Sequence, residues 1–237
     1  MKYNTYFNGI YDEDIGIRAT DKPSIQYPEE EVEEKQIDGR AEPLTIKKKS
    51  RGNLTIEIPY YFSVKDYDDF YPKTRIIKRH FEKITDNILA LEDDNVFYKV
   101  KYCRLSKIER HNYSGNFTVQ YICSPYAYFE SGKYEIRIQN NSTLNNEYDI
   151  SYPIYKIVGE GLITLKVNNK NVQINVGQSV TIDTELKECI KNNEQIKLTL
   201  RTGDYEDLWL KEGLNTFSYS VNSGSISSIS IIPNYRE

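Results

Sequence analysis

Apolar residues recur at every second position along much of this chain, which is the pattern of strands with one wet and one dry face. Leu54, Ile56 and Ile58 alternate with polar residues, for example, and the turn residues Asn168 and Asn169 separate two later runs. The pattern predicts strands over residues 54–62, 98–102, 117–123, 163–167, 172–176, 196–200 and 229–231. The chain is therefore expected to be mainly β.

One segment follows helical spacing instead. Ile77, Phe81 and Ile84 recur three or four residues apart, and Pro72 suits a first helical turn, where its missing N–H costs nothing. Aspartates precede this segment and basic residues follow, in agreement with the helix dipole. We predict one amphipathic helix near 72–84 that lies on a sheet.

The length and the break in the pattern indicate two domains. A chain of 237 residues suits one large domain or two small ones, and we take two as the working number. The strand pattern stops at Pro125, and a short stretch with Ser131 and Gly132 precedes the next strand. We place the boundary near residue 130, which gives domains 1–130 and 131–237, with the helix in the first.

Charge and hydropathy exclude several classes of protein. With 31 basic and 35 acidic residues the net charge is -4, whereas a general nucleic-acid binder needs a basic surplus. The chain has no apolar run of about 18 residues, and its start, MKYNTYFNGI, lacks the apolar core of a signal peptide. We expect no membrane partner, synthesis in a cytosol-like compartment, and reduced thiols at Cys103, Cys123 and Cys189.

No constellation of residues points to catalysis. His80 and His111 have no cysteine or carboxylate at ligand spacing, and a metal site needs three or four convergent ligands. The chain contains neither a G-x-S-x-G motif nor a phosphate-binding glycine loop. Its paired acids lie in polar stretches that would leave them solvated. We expect no enzyme activity, no metal and no cofactor.

Two charged stretches and the tyrosine content remain to be explained. Residues 18–40 hold five glutamates within six positions, yet too few apolar residues for a helix or strand that packs. The basic patch of Lys47, Lys48, Lys49 and Arg51 either protects a strand edge or faces nucleic acid or an acidic partner. The 21 tyrosines against 8 phenylalanines reflect either half-wet sheet faces and subunit contacts or an AT-rich genome.

Several motifs occur in the order found in one known family. YPIYKIVGEGLITLKVNNK joins a proline-led strand to two spaced glycines and an Asn turn, and SVTIDTEL ends in Ile-Asp-x-Glu. GDYEDLWLKEGLNTFSYSV and ISIIPNYRE follow, while DGRAEPLTI and FTVQYICSPYAY lie in the first half. In these respects the chain resembles the phage distal tail protein family. The matching residues are Pro153, Gly159, Gly161, Asn168, Ile182, Asp183, Glu185, Gly203, Asp204, Tyr205, Leu210, Gly213, Asn215, Pro233, Asn234, Tyr235 and Arg236.

The resemblance implies a fold and a role. The first domain would be a β-sandwich or barrel-like ring domain and the second a galectin-like β-sandwich. Six copies would surround a channel through which DNA passes, and would join the tail tube and tape-measure protein to the tail-tip hub and receptor-binding proteins. The protein would be made in the bacterial host cytoplasm and reside in the virion, at the tail tip. Glu42 and Pro43 depart from the family pattern where it has a second glycine. Trp209 also departs from it, next to the family's Leu-x-x-Gly-x-Asn signature at Leu210, Gly213 and Asn215.

The resemblance also suggests what the charged stretches do. In this family the segment up to Gly-Arg is an extended arm, which implies a subunit interface. The implied interface residues are Ile25, Tyr27, Glu29, Glu30, Val32, Gly39 and Arg40, and the basic patch is a candidate for the channel or for a partner's acidic face. A carbohydrate-binding module with Trp209 and Tyr205 as its platform is the alternative, and an enzyme acting on cell walls is a third.

Overall fold

The chain forms two compact units in the computed structural model, residues 1–127 and residues 128–237. The structure describes residues 3–28, 30–39, 41–191, 196–197 and 199–237. Strands dominate both units and one α-helix is present among the described residues, so the prediction of a mainly β protein with one helix is confirmed. The predicted boundary near 130 falls in a 3-10 turn at Glu130–Lys133.

Unit 1 contains a nine-stranded sheet, a separate two-stranded ribbon and the helix. Its elements are β1 Thr5–Phe7, β2 Ile10–Tyr11, β3 Arg18–Ala19, β4 Ser24–Gln26, β5 Glu30–Lys35, β6 Leu44–Arg51, β7 Leu54–Ser63, α1 Phe70–Glu82, β8 Ile88–Leu91, β9 Val96–Leu105, β10 Glu109–His111 and β11 Ser114–Phe129, which continues two residues into unit 2. The sheet order is β2-β1-β8-β9-β11-β7-β3, with β10 on β11 and β4 on β7, while β5 and β6 form the ribbon.

The core of unit 1 lies between the sheet and α1. Strand β7 buries every second side chain from Leu54 to Phe62, as its alternation predicts. The helix buries Phe70, Ile77 and Phe81, and the Phe81 ring lies 6.0 Å from that of Phe7. The apolar stripe of the helix therefore packs on the aromatic face of the sheet.

The predicted end of the helix is wrong by two residues. We expected Ile84 on its buried face, but the helix ends at Glu82 and Lys83 leaves the helical conformation. The side-chain amide of Asn8 donates hydrogen bonds to the carbonyls of His80 at 2.9 Å and Lys83 at 2.8 Å. Asn8 thus satisfies carbonyls that the helix end leaves free, a contact that local spacing does not reveal.

A buried polar network crosses the core of unit 1. Asp12 is 3% exposed and accepts hydrogen bonds from the backbone and hydroxyl of Thr5. The Thr5 hydroxyl lies 3.0 Å from that of Tyr60, which lies 2.8 Å from that of Tyr121. Burial removes water from the Asp12 carboxylate and raises the pKa of Asp12 to about 7.

Unit 2 is built around one long hairpin. Its strands are β12 Ile136–Ile138, β13 Ser142–Asn146, β14 Ile154–Val167, β15 Lys170–Asp183, β16 Glu188–Lys191, β17 Ile196–Lys197, β18 Gly213–Val221 and β19 Ser225–Ile232. They form one sheet in the order β12-β19-β14-β15-β16-β17, in which β18 pairs with β13 and β14. The predicted turn at Asn168 closes the β14–β15 hairpin. The strand predicted over 196–200 is present at Ile196–Lys197, but residue 198 lies outside the described residues and residues 199 and 200 are not in a strand, so its predicted end is wrong.

Strand β14 changes partner at two glycines. Its first part pairs with β19 and its last part with β18, and the register shifts between Val158 and Gly159. A Cβ on Gly161, whose φ is +107°, would lie 2.0 Å from the carbonyl oxygen of Ser223. The spaced glycines therefore allow the β18–β19 turn to approach β14 closely.

Candidate assembly surface

The glutamate-rich segment follows strand β4, which is paired in the sheet of unit 1. Strand β4 pairs with β7, with Ile25 opposite the buried Ile56, and β6 leads into β7 two residues after it ends. We expected no packed strand within residues 18–40, and this is wrong because β3 and β4 both join the sheet. Of the predicted interface residues, Ile25 lies half-buried in its own sheet.

The acidic arm and the basic patch are the two strands of one ribbon. The register places Glu30 opposite Arg51 and Val32 opposite Lys47, with an irregularity between these two pairs. Farther along, Glu33 lies opposite Ile46, so the register gives it no basic residue directly across. Sequence reasoning treated the two stretches as separate sites because ten or more residues separate them along the chain.

The ribbon exposes apolar side chains. Tyr27, just before it, is 72% exposed, and Val32 on β5 and Ile46 on β6 are 53% and 42% exposed. Leu44 is exposed beside Ile46 on the same strand. A two-stranded ribbon has no core of its own and is at best marginally stable in water. Exposed apolar side chains on such a ribbon are available to another protein surface, which is what the predicted subunit interface requires.

The other predicted site residues have different positions. Gly39 lies in the connection between β5 and β6, with φ at +86°. Arg51 ends β6, where its guanidinium carbon lies 5.4 Å from the centre of the Tyr126 ring. Glu29 and Arg40 lie outside the described residues, as do the side chains of Glu30, Lys47, Lys48 and Lys49.

A second exposed cluster in unit 1 escaped the sequence reasoning. The guanidinium of Arg110 lies over the ring of Tyr67 at 3.8 Å and over that of Phe70 at 4.3 Å. Tyr67, Tyr71 and Tyr113 are 60%, 61% and 54% exposed. Alternation gave no signal for this cluster, because its rings come from a turn, the start of α1 and a hairpin tip.

The predicted sugar platform of Trp209 and Tyr205 is not the pairing in the structure. Trp209 is half-buried and its ring lies 4.5 Å from that of Tyr152, while Tyr205 packs against the core of unit 2. The guanidinium of Arg236 covers Tyr152 at 3.4 Å. Trp209 therefore belongs to a packed stack of side chains, which is the usual role of a large ring.

The described residues give two further negative findings. Within residues 3–28, 30–39, 41–191, 196–197 and 199–237, no three or more His, Cys, Asp or Glu side chains converge as a metal site would require. In the same part of the chain, no helix has the length and apolar character needed to cross a membrane.

Comparison with known proteins places the fold. No family model matches the chain, and no curated protein matches it. Among solved structures, the chain is similar to the Dit protein (gp 19.1) of phage SPP1, described as a paradigm of the hub adsorption apparatus in phages that infect Gram-positive bacteria. The match has a TM-score of 0.62 at 12% identity and covers 97% of each chain. The fold is thus shared with a distal tail protein, as the motif resemblance implies.

Proposed function

We propose that this protein is a structural component of a phage tail tip. Copies of residues 1 to about 130 form a ring, expected to contain six, around a channel that DNA traverses, and unit 2 is a galectin-like domain. The ring joins the tail tube and tape-measure protein to the hub and receptor-binding proteins, and the chain acts without catalysis. The observation that carries this proposal is the fold match to a hub adsorption protein over 97% of both chains.

The ribbon is the proposed contact between neighbouring copies. It exposes apolar side chains without a core beneath them, and one patch meeting a different patch on the next copy can close a ring. Changing Val32 and Ile46 to serine should weaken assembly and leave the melting of both units unchanged. Changing Val221, an exposed apolar residue at the end of β18, to serine is the matched control.

Mass measurement and electron microscopy of the purified protein test the proposal. Six chains of 27.8 kDa give a particle of about 167 kDa, which should appear as a six-fold ring. An antibody against the protein should label the tail tips of purified virions. A monomer at every concentration, absent from virions, would refute the tail role. Saturable binding on a glycan array, lost in Trp209→Ala, would instead establish the carbohydrate-binding alternative.

A further inference from the structure

The outer face of α1 is basic, and its side chains do not pack in the core of unit 1. Phe70, Ile77 and Phe81 point inward, so the opposite side of the helix presents Arg75 and Arg79. We call the exposed residues Arg75, Ile76, Lys78 and Arg79 the basic helix face. The Glu82 carboxylate lies 3.5 Å from the Lys78 ammonium and offsets one positive charge of this face.

The basic helix face has the composition of a docking surface. Ile76 is 53% exposed at one edge of this face, so an apolar side chain lies beside the two arginines. A helix needs one apolar stripe for its own core, and α1 already has it on the opposite side. An exposed apolar residue beside a mainly basic face points to an acidic partner that also carries apolar side chains.

We infer that the basic helix face binds the glutamate-rich strand β5 of a second copy of this chain. That strand has glutamates on both sides of an exposed Val32. Its register leaves Glu33 opposite Ile46 and Glu34 opposite Thr45, so neither glutamate has a basic residue directly across the ribbon. Successive side chains of a strand alternate between its faces, so Glu34 shares a face with Val32, Glu33 lies on the other face, and each charge is available to another surface.

Strand β5 is long enough to span the basic helix face. From Arg75 to Arg79 along the helix the distance is about 6 Å at 1.5 Å per residue. From Glu30 to Glu34 along β5 it is about 13 Å at 3.3 Å per residue. Such a contact joins two different surfaces of one chain, which is the head-to-tail type that closes rings. The inference rests on the proposed self-assembly and names the surface that the ribbon occupies.

Charge exchange tests the pairing in the full-length protein. Arg75→Glu with Arg79→Glu should weaken assembly about tenfold or more, because like charges would then face each other. Glu33→Lys with Glu34→Lys should do the same, and the four changes together should restore assembly. Lys166→Glu with Lys211→Glu, on exposed residues of unit 2, is the matched control. Sedimentation at low and high ionic strength measures the association, which salt should weaken.

The outcomes separate this inference from the proposed function. If the wild type assembles and neither charge-reversed pair weakens this assembly, the helix–ribbon contact is refuted. The ring then remains a proposal. A wild type that never assembles refutes both. The four changes together could instead restore thermal stability that each charge-reversed pair had lost, while the protein stays monomeric. That result would place the contact within one chain and overturn the inference. The variant Arg75→Glu with Arg79→Glu could also assemble normally but lose the binding of a double-stranded DNA probe. That result would assign the face to nucleic acid instead.

Discussion

Replacing Asp12 by asparagine tests the buried network of unit 1. The Asp12 side chain is 3% exposed and lies against Thr5, whose hydroxyl leads to Tyr60 and Tyr121. Asparagine has nearly the same shape and its carbonyl can still accept the backbone hydrogen bond of Thr5, which is 2.9 Å long in the wild type. The substitution therefore removes the ionisable proton while keeping the packing.

The pKa of Asp12 sets the expected size and sign. Burial raises this pKa from 3.8 to about 7, a shift equivalent to about 4 kcal/mol at 1.36 kcal/mol per unit. Because the folded pKa is raised, the stabilisation is fully present below pH 3.8 and is lost as pH rises through 7. At pH 8 Asp12→Asn should be more stable than the wild type by about 3 kcal/mol, after about 1 kcal/mol for an altered hydrogen bond.

Urea unfolding between pH 4 and pH 8 measures this difference, and subtracting variant from wild type cancels groups that titrate in both. The single tryptophan, Trp209, lies in unit 2, so its fluorescence reports the unfolding of that unit. A change in circular dichroism without a change in tryptophan fluorescence therefore reports the unfolding of unit 1. Asp14→Asn removes a carboxylate from an exposed position in the same 3-10 turn and is the control. Parallel stability curves for the wild type and Asp12→Asn across this range would refute the reasoning.

Three further substitutions test single contacts. Asn8→Asp should destabilise unit 1 by about 2 kcal/mol in urea unfolding, because a carboxylate cannot donate to the two helix-terminal carbonyls. Gly161→Ala should cost about 3 kcal/mol or more, because its Cβ would meet a backbone carbonyl at 2.0 Å. Gly213→Ala, also at positive φ but with open space around it, should cost about 1 kcal/mol. Asn215→Leu should cost unit 2 about 3 kcal/mol, because buried Asn215 makes four hydrogen bonds, whereas Asn175→Leu at an exposed position should change little.

Local periodicity was enough for the elements that bury one face. Strand β7 and the β14–β15 hairpin follow the alternation of their residues, because a slip by one residue would expose every buried side chain. Helix α1 buries Ile77 and Phe81 as their helical spacing predicts, although it begins at Phe70, two residues before the predicted start near 72. In each case the apolar side chains that specify the element are close together in the sequence.

The parts that sequence reasoning missed depend on contacts between distant residues. The end of α1 is set by Asn8, which precedes His80 by 72 residues, although the apolar spacing continues to Ile84. The ribbon register pairs Glu30 with Arg51, and neither strand has the alternation that fixes register elsewhere. Single-sequence patterns report burial against a chain's own core, so they carry little information about either contact.

The candidate assembly surface is of the kind for which such patterns give least information. A ribbon with Val32 and Ile46 exposed gains little stability from its own chain, because both faces are open to water. Any apolar area that it buries must come from another surface, so its stability depends on the concentration of that surface. In the proposed ring, the glutamates and lysines of the ribbon would choose the partner and the register. The same side chains, judged against the isolated chain, look like a solvated loop.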